Sequence, residues 1–241
     1  MSPLEPYRSH LCLALTVCIV VLLSNRVQAS HFTWLGHGTD VSPGYTLLGE
    51  FVPTFYRILD ESNPVWSRED PTEDLLTTEG RTITRVSPTF RHQLDIEGSA
   101  RLRDGRIINI AERQRGQYRY LVVKNAPFGL GEPGFKLIPY RTIAVDPARI
   151  KIGTVLYVPS LLGIPLPSGE THDGFCFAHD TGHGIVGNRV DLFVGFEDDR
   201  NNVLTRSGQV ATFERVHIYR VDERTAAKVK DRFKPHFLSH E

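Results

Sequence analysis

The 241-residue sequence is poor in cysteine and methionine and has no excess of either charge. It contains three Cys, one Met, 28 Lys and Arg, and 28 Asp and Glu, so its formal net charge is zero. A balanced charge argues against a general binder of nucleic acid or of anionic membranes. The sequence also has no internal repeat of fixed period and no low-complexity tract.

Long apolar runs are missing except for one near the start. Residues 11–23 read LCLALTVCIVVLL, follow Arg8 and His10, and precede Val27-Gln28-Ala29. This layout predicts a secretory signal peptide over residues 1–29. An uncleaved anchor is the alternative, but a membrane-spanning helix needs about 20 residues. We therefore expect an exported protein, periplasmic or secreted and associated with the cell envelope, with no membrane span after signal removal.

Loss of the signal peptide would leave a single cysteine. Cys12 and Cys18 lie within it, so only Cys176 remains and no internal disulfide can form. Lys and Arg would fall to 26 and Asp and Glu to 27 over the remaining 212 residues, which gives a net charge of −1. Burial of apolar side chains must therefore stabilise the fold, and a chain of this length can bury enough of them.

Short strands dominate the remaining pattern. Runs rich in β-branched and aromatic residues and bounded by Gly, Pro, Asn or Asp predict strands at 49–59, 106–111, 118–124, 141–146, 154–159, 174–180, 189–195 and 215–221. Helical turns are expected after Asp70-Pro71, Ser87-Pro88 and Ser207, and a longer helix at 223–233. Many short strands with few short helices indicate a mainly β protein, a barrel or a sandwich.

Reactive side chains concentrate in the stretch FAHDTGHGIVGNRVDLFVG, residues 177–195. With a period of two, one face of the strand at 189–195 carries Val190, Leu192 and Val194, and the other carries Arg189, Asp191 and Phe193. A turn using positive φ at Gly182 and Gly184 would bring Asp180 close to Asp191. One of two close carboxyls should have a raised pKa and suit a general acid. The alternative is a solvated aspartate at a strand end.

Two other site classes remain open on the residues alone. Nitrogen and oxygen ligands for zinc occur at His172, Asp173, His179, Asp180 and His183, but their spacing matches no familiar metal motif. Asp180-Thr181-Gly182 is the DTG triplet of aspartic proteases, which with one copy per chain would need a homodimer. We predict neither a metal nor another cofactor.

Three ordered blocks resemble a known family. Residues 143–159 (IAVDPARIKIGTVLYVP), 178–195 (AHDTGHGIVGNRVDLFVG) and 215–221 (RVHIYRV) are similar to the three-aspartate (3D) domain, which is related to the C-terminal part of membrane-bound lytic murein transglycosylase A. The family's aspartates correspond to Asp146, Asp180 and Asp191. Two departures are the sequence Gly182-His183-Gly184-Ile185 in place of Gly-Gly-Ala-Ile, and Val186 in place of the usual Lys.

The resemblance implies a fold and a domain order. The fold is a double-psi β-barrel with an inserted, partly β lobe and few short helices. The expected order is a first barrel strand within 30–60, an insert forming a substrate groove at 61–136, the barrel core at 137–222, and a C-terminal helix and tail at 223–241.

The resemblance also implies an activity. It is lytic cleavage of the β-1,4 bond between N-acetylmuramic acid and N-acetylglucosamine in peptidoglycan strands, with a 1,6-anhydro product and Asp191 as the single acid/base. Asp180 would tune or stabilise the reacting charge. Support of the site or contact with substrate is expected from Asp146, Thr181, Gly182, His183, Asn188 and Arg189. The alternative is a non-catalytic cell-wall carbohydrate-binding module on the same barrel.

Overall fold

The computed structural model describes residues 44–234 and residue 237, so the predicted signal peptide at 1–29 lies outside the described residues. The strands are β1 Tyr45–Tyr56, β2 Leu59–Asp60, β3 Glu73–Leu76, β4 Thr82–Val86, β5 Ser99–Arg101, β6 Ile107–Gln114, β7 Gln117–Val123, β8 Thr142–Ala144, β9 Val155–Tyr157, β10 Phe175–Asp180, β11 Arg189–Phe193 and β12 Val216–Val221. The α-helices are α1 Pro88–Glu97, α2 Val203–Arg206 and α3 Glu223–Arg232, with 3₁₀ turns at Pro64–Arg68 and Pro159–Leu161.

Six strands close into a barrel in the order β1-β11-β8-β10-β9-β12. The pairs β1/β11 and β8/β10 are parallel, and the antiparallel pair β8/β11 joins them. Strands from distant parts of the chain thus cross next to each other. The molecule is mainly β, with a double-psi barrel and few short helices, which confirms the predicted fold class.

The barrel is filled by one alternating face of each strand. Val190 and Leu192 of β11, and Val194 directly after it, are each at most 2% exposed. They pack in the same core as Phe51 and Ile143. The predicted alternation at 189–195 is therefore correct, because an inward aliphatic face forces the intervening residues outward. Cys176 is buried in this core as well.

A second lobe lies between β1 and β8 in the sequence. It contains the sheet β2-β5-β6-β7, the hairpin β3/β4 and α1, which pack around their own apolar core that includes Leu75, Phe90 and Tyr120. A further apolar cluster joins Ile107 of this lobe to Phe193 of the barrel. The outward face of β11 therefore faces the inserted lobe.

Local signals predicted some helix ends and missed others. Ser87 caps α1 and accepts a hydrogen bond from the Phe90 N–H at 3.3 Å, as its Ser-Pro start predicts. The expected helical turn after Asp70-Pro71 is wrong, because Glu73–Leu76 pairs with Thr82–Val86 as a hairpin. Ser207 ends α2 instead of starting a helix.

The predicted C-terminal helix is present as α3, which begins after the capping residue Asp222. In the part of the chain that the structure describes, no helix has the length and apolar character needed to cross a membrane.

Candidate active site

Asp180 and Asp191 lie on the outward face of the barrel, on two strands that flank β8. Asp191 is the register partner of Ala144 in the pair β11/β8, and Asp180 is the register partner of the same residue in β10/β8. Adjacent strands are about 4.8 Å apart, so the two backbones are separated by about 10 Å. Strand β8 therefore lies between the two aspartates. From the sequence we expect a turn to bring them together, and the intervening strand is not predicted.

The loop 181–188 connects these two strands and is fixed by Asp146. The Asp146 carboxylate accepts hydrogen bonds from the Gly187 N–H at 2.7 Å and the Ala148 N–H at 2.9 Å. These bonds lower the pKa of Asp146. The left-handed residue of the loop is Gly187, with φ of 68°, and the expectation of positive φ at Gly182 and Gly184 is wrong. Gly182 instead accepts the Ile185 N–H at 2.9 Å in a tight turn.

Asp191 is a buried carboxyl that lacks a full set of hydrogen-bond partners. Burial raises its pKa to about 7, the nearby charges of Glu97 and Asp180 add to the rise, and the Thr54 hydroxyl and Arg189 oppose it. Its Oδ1 atom is buried and has no partner among the described residues. A carboxyl of this kind is half protonated near neutral pH, and one of its oxygens makes no hydrogen bond within the described residues.

Asp180 differs because its carboxylate is tied on both oxygens. The Tyr56 hydroxyl donates to Oδ2 at 2.8 Å, and the Thr181 N–H donates to Oδ1 at 2.9 Å. Burial raises the pKa of Asp180 to about 6, while these bonds and one from the Glu132 backbone lower it. Hydrogen bonds to both oxygens therefore hold the Asp180 carboxylate in a fixed orientation.

Two β1 residues that sequence reasoning missed complete the barrel side of the site. Thr54 pairs in register with Asp191, and Tyr56 pairs with Phe193, with ring centroids 5.1 Å apart. The Tyr56 side chain extends from β1 across β11 and β8 to Asp180 on β10. The available signal was alternation, since polar side chains at 54 and 56 flank the buried Phe55.

The inserted lobe contributes the opposite side. Glu97, at the end of α1, accepts a hydrogen bond from the Arg57 N–H at 3.2 Å and pairs with the Arg57 Nε at 3.6 Å. Burial raises the pKa of Glu97, and its charge also raises that of Asp191. Gly131 lies so close to the strand that a Cβ there would overlap the His179 carbonyl oxygen and lie 3.1 Å from the Asp180 side chain.

The other predicted site residues lie around the rim. The Asn188 side chain donates to the Glu50 carbonyl at 3.1 Å, and its own carbonyl accepts the Val52 N–H at 2.8 Å, so it links the loop to β1. His183 and Arg189 are exposed. The charge of Arg189 lowers the pKa of Asp191.

The histidines considered as zinc ligands have separate surroundings. His172 is buried, donates from Nε2 to the Tyr140 carbonyl at 2.9 Å, and accepts the Gly174 N–H on Nδ1. His179 is stacked on Phe135 at 4.0 Å and Phe177 at 5.0 Å. Within residues 44–234 and 237, no three His, Cys, Asp or Glu side chains converge as metal ligands.

Comparison with known proteins agrees with this geometry. Residues 141–218, which carry all three aspartates, match the family model of the 3D domain. The chain contains a 3D domain. No curated protein matches the sequence.

The similarity of this chain to solved structures extends beyond the 3D domain. E. coli MltA with bound chitohexaose is similar with a TM-score of 0.50 and 12% identity, over 74% of this chain and 76% of that one. A membrane-bound lytic murein transglycosylase from Agrobacterium tumefaciens has a TM-score of 0.46 and 17% identity, over 74% and 75% of the two chains. At 12% identity the likeness to MltA is one of fold, and at 74% of this chain it extends beyond residues 141–218.

Proposed function

We propose that the protein is an exported enzyme of the lytic transglycosylase type that cleaves the glycan strands of peptidoglycan. The observation that carries the proposal is Asp191, a buried carboxyl with a pKa of about 7 and an unpartnered oxygen on the face directed at the inserted lobe. The fold shared with E. coli MltA, whose structure holds chitohexaose, supports a glycan as the ligand.

Asp191 is the single acid/base in the proposed reaction. Its protonated carboxyl donates the proton to the oxygen of the β-1,4 bond between N-acetylmuramic acid and N-acetylglucosamine, and the bond from that oxygen to muramic acid C1 breaks. The resulting carboxylate takes the proton of the muramic acid C6 hydroxyl, whose oxygen bonds to C1. The products are a 1,6-anhydro end and a free N-acetylglucosamine end, and Asp191 is protonated again.

Asp180 supports this reaction electrostatically. Inverting hydrolysis is the alternative reaction, in which a second carboxylate activates water. The Asp180 oxygens already accept hydrogen bonds from Tyr56 and Thr181, which stabilise the carboxylate and make it a weaker base for activating water. Its negative charge instead favours the positive charge that develops on the sugar ring.

The remaining assignments belong to the same proposal. The span 61–136 forms the wall of the groove opposite the barrel strands 137–222. Asp146 and Asn188 hold the loop that carries Thr181 and Gly182. His183 and Arg189, exposed at the rim, contact the glycan. Residues 1–29 direct export and are removed, and the mature protein acts in the cell envelope. It needs no cofactor and does not bind nucleic acid.

Mass spectrometry of purified sacculi digested with the mature protein tests the proposal. We expect anhydro-ended muropeptides from the wild type and none from Asp191→Asn. Asp231→Asn is the matched control, because Asp231 is an exposed carboxylate on α3 away from the groove.

Two other outcomes would contradict the proposal in different ways. Reducing-ended products would mean hydrolysis and would require a water-activating group. If the wild type gives no products, and both the wild type and Asp191→Asn bind to sacculi, the protein would be a non-catalytic carbohydrate-binding module.

A further inference from the structure

Phe213 is an exposed aromatic side chain on a backbone that does not favour it. It lies between α2 and β12, is 70% exposed, and has φ of 67°. Bulky residues rarely adopt positive φ, and a glycine or asparagine would fit this conformation with less strain. The fold therefore holds a phenylalanine where its backbone is strained and its ring gains little from burial.

The position of Phe213 is set by β1. Its N–H donates to the Pro53 carbonyl at 3.0 Å. Pro53 directly precedes Thr54, the register partner of Asp191. Phe213 lies beyond the paired end of β12, where Val216 pairs with Phe51, so it extends the barrel surface on the β12 side of β1.

The order of backbones across this surface is Phe213, β1, β11, β8 and β10. Phe213 and Asp180 thus flank Asp191 on opposite sides. Each lies about two strand spacings, roughly 10 Å, from β11. A ligand extended across these strands and centred on Asp191 would pass Phe213.

The loop that carries Phe213 is anchored on both sides of the ring. Val210 is 1% exposed and packs in the barrel core. The Glu214 N–H donates to the Ala211 carbonyl at 3.1 Å, and Phe213 itself is bonded to Pro53. These contacts fix the ring at the rim before a ligand arrives, so little conformational entropy is lost on contact.

We propose that Phe213 is a substrate-binding residue that stacks on a sugar ring beside the bond being cleaved. This inference rests on the proposed function and names a contact of that site. The faces of a pyranose ring present C–H groups, which pack well on the flat, electron-rich face of an aromatic side chain. The rigid, strained backbone keeps that face exposed to the glycan instead of allowing it to fold onto the protein.

Steady-state cleavage of soluble glycan strands by Phe213→Ala tests the role. We expect KM to rise about tenfold with kcat within twofold of the wild type, since a contact made equally in the bound and transition states affects KM alone. Phe213→Trp should restore KM, and Phe213→Gly should raise Tm while binding stays weak. Leu162→Ala is the matched control, since Leu162 is 53% exposed and follows β9 at the end of the barrel away from Asp180.

Direct titration with the same glycan strands separates this inference from the proposed function. In an Asp191→Asn background, Phe213→Ala should weaken binding about tenfold even if the wild type proves unable to cleave. An unchanged Kd or KM in Phe213→Ala would overturn the role of Phe213 while leaving cleavage by Asp191 intact. Absence of both cleavage and binding in the wild type would remove the two proposals together.

Discussion

Asp180 and Asp191 are register partners of one and the same residue, Ala144, from the two sides of β8. This relationship separates their roles. Asp180 is held by Tyr56 and the loop backbone, whereas one oxygen of Asp191 has no partner among the described residues. The two carboxyls share one surface, and in the proposed reaction Asp191 alone exchanges a proton with the ligand.

The proposed acid role predicts the pH dependence of cleavage. Asp191 must start protonated, and burial raises its pKa to about 7. We expect kcat/KM to fall above pH 7, approaching tenfold per pH unit, because the free enzyme's pKa governs this parameter. A rate that stays constant from pH 7 to 9 would contradict the role of Asp191 as the acid.

Replacement of Thr54 by Val should shift the pH at which kcat/KM begins to fall. The Thr54 hydroxyl stabilises the ionised form of Asp191 and lowers its pKa. Its removal raises that pKa, so activity should persist to higher pH in Thr54→Val. The measurement is kcat/KM against pH for both proteins, and an unchanged profile would mean that the Thr54 hydroxyl donates to the Val190 carbonyl, 3.3 Å away, and not to Asp191.

The raised pKa of Asp191 also predicts a stability cost at alkaline pH. The folded-state pKa is about 7 and the ordinary value is 3.8, so the folded protein carries the full penalty of a buried charge above pH 7, and the penalty declines as the pH falls from 7 toward 3.8. Asp191→Asn should therefore be more stable than the wild type at pH 8, by about 2–4 kcal/mol.

Urea unfolding measures this difference. The advantage of Asp191→Asn should shrink by pH 5, where the wild-type carboxyl is protonated. Equal stability of the two proteins at pH 8, with Asp231→Asn as reference, would indicate that Asp191 is well solvated.

Gly131→Ala tests the contact between the inserted lobe and β10. The added methyl would overlap the His179 carbonyl and press on Asp180, so we expect a loss of about 1–3 kcal/mol in unfolding free energy together with lower activity. Gly184→Ala is the control for stability, since a Cβ at Gly184 has no atom closer than 4.0 Å and Gly184 does not have a positive φ. If Gly131→Ala loses no more stability than Gly184→Ala, the lobe adjusts freely over Asp180.

His179 predicts instability in acid. Burial among Phe135, Phe177 and Phe237, and the charge of Lys230, lower the pKa of His179 to about 3 from 6.5. Between these values the unfolded chain takes up a proton that the folded chain does not, so stability falls as the pH falls from 6.5 toward 3.

His179→Phe should flatten this fall, because phenylalanine fills the aromatic site without titrating. The measurement is Tm between pH 7 and pH 4. His92→Phe, at an exposed position on α1, should leave the slope unchanged. An equal slope in wild type and His179→Phe would exclude His179 as its source.

Local sequence patterns predicted those parts of the fold that depend on the residues of a single strand. The period of two at 189–195 was enough to direct Val190 inward and Asp191 outward. The residues Glu73–Leu76 were misread because their hairpin partner at 82–86, and not their own composition, makes them a strand.

The candidate site was predicted only in part because its contacts are distant in the sequence. The bond from Tyr56 to Asp180 joins residues 124 positions apart, and Glu97 approaches Asp191 from another lobe. The family pattern located the aspartates, but the partners that distinguish Asp180 from Asp191 depend on how the strands cross.

The closure of the barrel has a consequence for how the chain acquires its structure. β1 pairs with β12, which joins Tyr45 to Val221 across 176 positions, and with β11. Contacts between distant segments slow folding. Strand β1 cannot pair with β11 and β12 until almost the whole chain has been synthesised. A nascent chain would stay open through most of its synthesis, which is the condition in which an unfolded polypeptide can be threaded through a membrane before it folds.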